Sequence, residues 1–261
     1  MKKTLLPPLI PFAVLTLLAE FLVRQGFVRA YLVPAPSAVF RAMLDSRVEL
    51  VQALLSTSAG SLAGFAMSAL TGIAAAVLLS SSRGVQRAFY PYAIFFQTVP
   101  LIAVAPLLVI WFGFGIQTVI ASAFVASVFP VIANTLSGIL STDPPLRDLF
   151  RLYGASPLVT LFKLRLPAAL PQVFTGLRVS AGLAVIGAIV GEFIGGGGLG
   201  SVVDVARTQQ RIDKVFAAVL LASLLGLALF GLINLLSHPC PAAARPCARR
   251  SVRHAYPADA R

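Results

Sequence analysis

The sequence predicts an all-α polytopic membrane protein with about six transmembrane helices, and three observations carry that expectation. Of its 261 residues 58% are hydrophobic and 11% charged, far from the balance of a soluble domain. Apolar runs long enough to cross a bilayer as helix recur near residues 4–23, 56–79, 92–112, 116–140, 171–194 and 215–236. These runs lack the alternating polar residues of a barrel strand, and only helices or closed barrels satisfy the backbone inside lipid.

The first run follows Lys2 and Lys3, as a cleaved signal peptide would. Its length and the lack of a small-x-small site before Gln25 make it a retained span. Next, Val33-Pro34-Ala35-Pro36-Ser37 predicts an extended entry to a short helix capped by Ser37. Val39, Phe40, Met43 and Leu44 give that helix an apolar side, as in an interfacial helix at the outer surface. Gly60, Gly64 and Ser68 in the second span, and Gly176, Ser180, Gly182 and Gly187 in the fifth, allow close helix approach. The chain thus divides into a tail and first span (1–24), an outer connection (25–53), a transmembrane domain (54–238) and a basic tail (239–261).

The third span is interrupted by Gln97-Thr98-Val99-Pro100 and by Pro106 before Trp111 and Phe112, which suit an interface belt. Proline is tolerated there where a helix lines a cavity or meets neighbours. Gln97, Thr98 and Pro100, with Asn134 of the fourth span, are candidate linings of a translocation path. Hydrogen bonds between helices are the alternative use of the polar three. Glu192, at the outer end of the fifth span, is either part of an outer gate or an interfacial carboxylate near water. Arg178 lies deeper in the same span, and snorkelling accounts for it.

Between the fourth and fifth spans lies a polar interruption, residues 143–167. Asp143 caps a helix whose first position is Pro144. Leu146, Leu149, Phe150 and Tyr153 share one helical face, with Arg147, Asp148 and Arg151 away from it. Gly154 ends the helix, Ser156-Pro157 starts another, and the segment closes at Leu164-Arg165-Leu166-Pro167. A short amphipathic helix between two spans, without active-site chemistry, reads as a docking knob for a partner.

This loop resembles the cytoplasmic Glu-Ala-Ala loop of bacterial ABC importer permeases: Glu-Ala-Ala, three residues, Gly, nine residues, Ile-x-Leu-Pro. Asp148-Leu149-Phe150, Gly154 and Leu164-x-Leu166-Pro167 fill those slots without a gap. Two of the first three residues depart from the pattern, and Leu164 replaces Ile. Residues 100–115 also resemble the third-span pattern of the nitrate, sulfonate and taurine permeases, shared by some permeases for thiamine or flavin precursors. Asn134-Thr135-Leu136 and Gly191-Glu192-Phe193 agree further. The resemblance implies a type I ABC importer permease fold with a cytoplasmic coupling helix in loop 141–168. It implies a permease homodimer, separate cytoplasmic ATPase subunits that bind the ATP, and an external substrate-binding protein. The coupling residues it implies are Asp148, Leu149, Phe150, Arg151, Tyr153, Gly154, Leu164, Leu166 and Pro167.

Charge agrees with that orientation. With the N-terminus inside, 13 Lys and Arg fall in inside segments, 7 in outside segments and Arg178 in a span. Both termini and the 143–167 loop are then cytoplasmic, in a bacterial inner membrane. The net charge of +12 belongs to connections and tail, which argues for lipid headgroups and against nucleic acid. Gly195-Gly196-Gly197-Gly198-Leu199-Gly200 lacks a following Lys-Ser/Thr and reads as a flexible turn; no GxxxxGK[ST] occurs anywhere. Cys240 and Cys247 are too sparsely accompanied for a metal site and read as reduced thiols. No cofactor and no catalytic residue is expected, since both histidines lie in the tail and Glu192 has no second carboxylate in its span. An ion-coupled secondary transporter is the alternative, but only one span is Pro-broken and no counterpart repeats it.

Overall fold

The computed structural model describes residues 6–29 and 31–237; the Lys2-Lys3 pair, both tail cysteines and the basic tail lie outside the described residues. Regular structure among the described residues is entirely helical. In chain order come α1 (Leu6–Arg24), α2 (Pro36–Asp45), α3 (Arg47–Leu79), α4 (Arg83–Thr98), α5 (Leu101–Phe112) and α6 (Ile116–Leu140). Then follow α7 (Pro144–Leu152), α8 (Pro157–Thr160), a π turn (Leu161–Arg165), α9 (Leu166–Gly195), α10 (Gly198–Thr208) and α11 (Ile212–Ser237). Among the described residues, four helical runs are long and apolar enough to cross a bilayer: α3, α6, the continuous Pro157–Gly195 run and α11. The polytopic, all-helical expectation is met.

The third apolar run is not one helix, contrary to expectation. It divides at Val99-Pro100 into α4 and α5, with Pro100 extended at φ −62° and ψ 119°. Proline offers no N–H to the preceding turn and pushes the residue before it out of the helical region. The 12 residues of α5 rise about 18 Å, short of the roughly 30 Å hydrocarbon core, so a crossing requires α4 as well. Pro106 and Pro130, by contrast, sit inside continuous helices.

The outer connection is also more helical than the sequence implied. α3 begins at Arg47, so the expected boundary at 53/54 falls inside it. Ala35, not Ser37, occupies the N-cap position of α2. Ser37 instead donates its backbone N–H to Glu20 Oε2 (3.0 Å) and its hydroxyl to Glu20 Oε1 (2.8 Å). A carboxylate from α1 thus serves the first turn of α2, where backbone donors have no helical partner.

α6 forms the centre, packed between α3 and α9. The small residues explain why these axes come so close. A Cβ added at Gly64 would lie 2.5 Å from Ala123 Cβ, and one at Gly187 would lie 2.6 Å from the Ser122 carbonyl oxygen. Gly182 differs from the expectation, since nothing approaches it. Buried hydroxyls tie the three helices together: Ser68 shares a 2.7 Å hydrogen bond with Ser127, and Ser180 donates to the Ser127 carbonyl at 2.7 Å. A second cluster joins α3, α10 and α11 through Leu50, Leu199 and Ala218.

Candidate coupling loop and translocation surface

α7 forms where Pro144 occupies the first helical position, with Asp143 at the N-cap. The Asp143 side chain makes no capping bond, so its contribution is position only. The far end of α7 is closed by the backbone. Gly154 sits at φ +68°, its N–H donates to the Arg151 carbonyl (3.0 Å), and Ala155 N–H donates to the Phe150 carbonyl (3.0 Å). This paired closure satisfies two orphan carbonyls and requires a left-handed residue, which glycine supplies. The next helix opens on Ser156, whose hydroxyl accepts the Val159 N–H at 3.3 Å.

The face that α7 leaves open differs from the one the apolar spacing predicts at two positions, Phe150 and Leu152. Phe150 is half-buried, whereas Leu152 and Tyr153 are 85% and 83% exposed, and Leu149 is 44% exposed. Leu146 is also exposed, so of the four residues on the predicted face Phe150 alone turns inward, and Leu152 joins the open stripe. Leu152 was not among the sequence candidates, although an apolar residue at the edge of a short stripe was the available signal. Leu158 and Phe162 extend the exposed apolar surface beyond Gly154. Asp148 and Arg151 are exposed, and the ion pairs among the described residues all lie elsewhere.

Leu164 and Leu166 are half-buried and Pro167 is exposed. Leu166 packs with Leu161 against Ile139, Ala169 and Val173, which fixes the loop to the bundle. The π turn accommodates Pro167, whose ring excludes the usual bond to the Lys163 carbonyl.

The candidate path residues are not all brought together. Gln97 is exposed beside a narrow cleft that Tyr90 and Ile94 of α4 share with Phe129, Ile132 and Ala133 of α6. Thr98 is exposed and donates to the Phe95 carbonyl of its own helix at 2.7 Å. Pro100 is exposed at the α4–α5 break. Asn134 does not line the cleft beside Gln97: its amide donates to the Pro130 carbonyl (2.8 Å), and its Cβ lies beneath Gly176 of α9.

Glu192 does not face water, which corrects the expectation of a carboxylate near water. It is 1% exposed, and its Oε2 accepts the Gly200 N–H at 2.8 Å. Beside it, the buried Thr57 hydroxyl of α3 accepts the Leu199 N–H at 2.9 Å. Two side chains from other helices therefore cap the first turn of α10. The glycine run is not a flexible turn but a packed junction. Gly196, Gly197 and Gly198 hold φ between +64° and +84°, and Gly198 and Gly200 are buried against the Glu192 side chain. Arg178 does more than snorkel, since its Nη2 donates to Ser237 Oγ at the end of α11 (2.7 Å).

This layout of helices is also seen in proteins of known architecture. The inward-facing MetNI methionine ABC transporter superposes with a TM-score of 0.63 at 18% identity, covering 73% of this chain and 95% of that one. A probable ABC transporter permease of Haemophilus influenzae is 37% identical over 91% of this chain and 98% of its own length. The formylaminopyrimidine transport permease ThiX of Halalkalibacterium halodurans is 34% identical over 89% of this chain and 94% of its own. Permeases named for riboflavin, aliphatic sulfonates and nitrate match as well. Residues 68–238 match the family described as the binding-protein-dependent transport system inner membrane component. A central three-helix seam, a projecting amphipathic loop helix and these similarities agree: the chain belongs to that family and is the permease subunit of an ABC importer.

Proposed function

We propose that two copies of this chain form the translocation pathway of an importer in a bacterial inner membrane, with both termini in the cytoplasm. An external binding protein delivers a small solute. Separate cytoplasmic ATPase subunits bind and hydrolyse ATP, and the permease carries no cofactor of its own. Its work is mechanical: closing of the ATPase pair moves α7, and α7 moves the spans between inward- and outward-facing states.

One observation carries this reading. α7 presents Leu149, Leu152 and Tyr153 to solvent on a helix closed at Gly154 by its own backbone. A helix of this kind fits a groove, with apolar anchors in the pocket and Asp148 and Arg151 at the rim. Phe150 supports the helix from the bundle side, and Leu166 and Pro167 join it to α9.

The test uses the full chain in vesicles with its ATPase and binding protein. Leu152→Ala with Tyr153→Ala is expected to lower ATPase co-purification and ATP-driven uptake at least ten-fold, with membrane insertion intact. Undiminished ATP-driven uptake by that double variant refutes the docking assignment.

A further inference from the structure

Two arginines behind the coupling helix lack a counter-charge. Every residue of α7 is exposed except Arg147 and Phe150, which stand about 60° apart on its inward side. Arg147 lies roughly 120–160° around the helix from Leu149, Leu152 and Tyr153, away from any groove that grips those three. Arg165, the last residue of the π turn, is also half-buried. Its Nε is sealed without a hydrogen-bond partner, while its Nη atoms stay open. It stands one turn before Ala169, which packs against Gly138 near the end of α6. Of the charged groups in the loop, Arg147 is the one that bears on Arg165. Asp143 and Asp148 are exposed and form no ion pair with either arginine. Arg151 and Lys163, both exposed, add only positive charge.

Two cations thus share a partly buried place, where unpaired charge is costly. The C-terminus of α6 supplies only about half a negative charge against them. Guanidinium groups suit phosphate oxygens, which an anion bridging the two would offer. Depth selects the source of that anion. The 30 residues of α9 carry the chain from Arg165 to Gly195, about 45 Å, close to the roughly 40–45 Å of a bilayer with its headgroups. With Gly195 at the outer surface, Arg165 lies level with the inner headgroups, where basic sites between helices bind anionic lipid.

We infer that Arg147 and Arg165 together hold the phosphate of an anionic phospholipid from the inner leaflet. That lipid ties α7 to the foot of α9. The inference rests on the orientation proposed above and adds a partner to the coupling loop.

The experiment uses the full chain with its ATPase and binding protein, in vesicles of phosphatidylcholine alone or mixed with phosphatidylglycerol. Native mass spectrometry reads the phosphatidylglycerol retained on the extracted complex. Arg147→Gln with Arg165→Gln is expected to lower retention at least about ten-fold, as loss of charge-assisted hydrogen bonds predicts. The same variant is expected to lose the stimulation of ATP-driven uptake by phosphatidylglycerol. Arg87→Gln, which removes an exposed arginine of α4 on the same side of the membrane, is expected to change neither. Should the double variant melt early, Arg147→Gln alone gives the contrast, because α7 has no buried residue. Undiminished retention, or an equal loss in Arg87→Gln, overturns the inference. Inorganic phosphate that replaces phosphatidylglycerol in stimulating uptake also overturns it, in favour of a free anion. Loss of ATPase co-purification with lipid retention unchanged overturns it in favour of a carboxylate on the ATPase. If the parent shows no ATP-driven uptake in either vesicle, the permease mechanism falls, while lipid retention still decides this site.

Discussion

Glu192 on α9 accepts the backbone N–H of Gly200 on α10 at 2.8 Å, while Gly198 packs directly on the same carboxylate. A span end and the helix after it are therefore joined by one buried side chain. Replacing Glu192 by Leu leaves the Gly200 donor buried and unpaired, a loss of about 1–3 kcal/mol. Glu192→Gln keeps an acceptor and is expected to cost less. Thermal melting of the purified chain in detergent ranks the two, and equal melting temperatures would contradict the capping role.

Gly154 is held at φ +68°, where a β-branched side chain is strained. Gly154→Val is expected to open the α7 closure and abolish ATP-driven uptake while the chain still inserts. Gly154→Asn, which tolerates the left-handed region, should retain much of that uptake. Uptake by the Val variant at the parent rate would show that the turn is dispensable.

The Lys214–Glu49 pair gives an asymmetric expectation. The Nζ–Oε2 distance is 2.7 Å, and the Lys214 side chain is 9% exposed against 52% for Glu49. Removing the exposed partner leaves the buried ammonium without its bond, so Glu49→Ala should destabilise by about 1–3 kcal/mol. Lys214→Met exchanges a buried cation for a thioether beside a carboxylate that water still reaches, and should be close to neutral. Denaturant midpoints for the single variants and the double variant decide this, and a larger loss for Lys214→Met would reverse the argument.

Gly187 faces the Ser122 carbonyl with no room for a side chain. Gly187→Val is expected to separate α6 from α9 and to reduce the yield of folded protein severely. Gly182→Ala should be tolerated, because nothing lies within 4 Å of that position. Yield after size-exclusion chromatography checks the contrast, and similar yields would sink it.

Much of the loop was legible in the chain because its determinants are local. Pro144, Gly154 and Ser156 act within four residues of themselves, so spacing alone placed α7 and its ends. Apolar periodicity located the spans for the same reason. The outward face of α7 was less legible, since Phe150 turns inward through packing that a helical wheel does not contain. The Glu192–Thr57 junction was not legible at all. Thr57 and Leu199 are 142 residues apart, and Glu20 and Ser37 meet only because α1 and α2 fold back on each other. The third span fell between these cases: the proline was visible, but whether it kinks a helix or ends one depends on the neighbours of α4 and α5.

The run from Pro157 to Gly195 is 39 residues without a break in helical bonding, with only the π turn as a soft spot. Its length is about 58 Å, nearly twice the hydrocarbon thickness. Such a rod behaves as a lever arm: a tilt of about 10° imposed beside Gly154 displaces the opposite tip by about 10 Å. Because Glu192 clamps that tip to α10, a tilt of the rod would carry α10 with it as one piece.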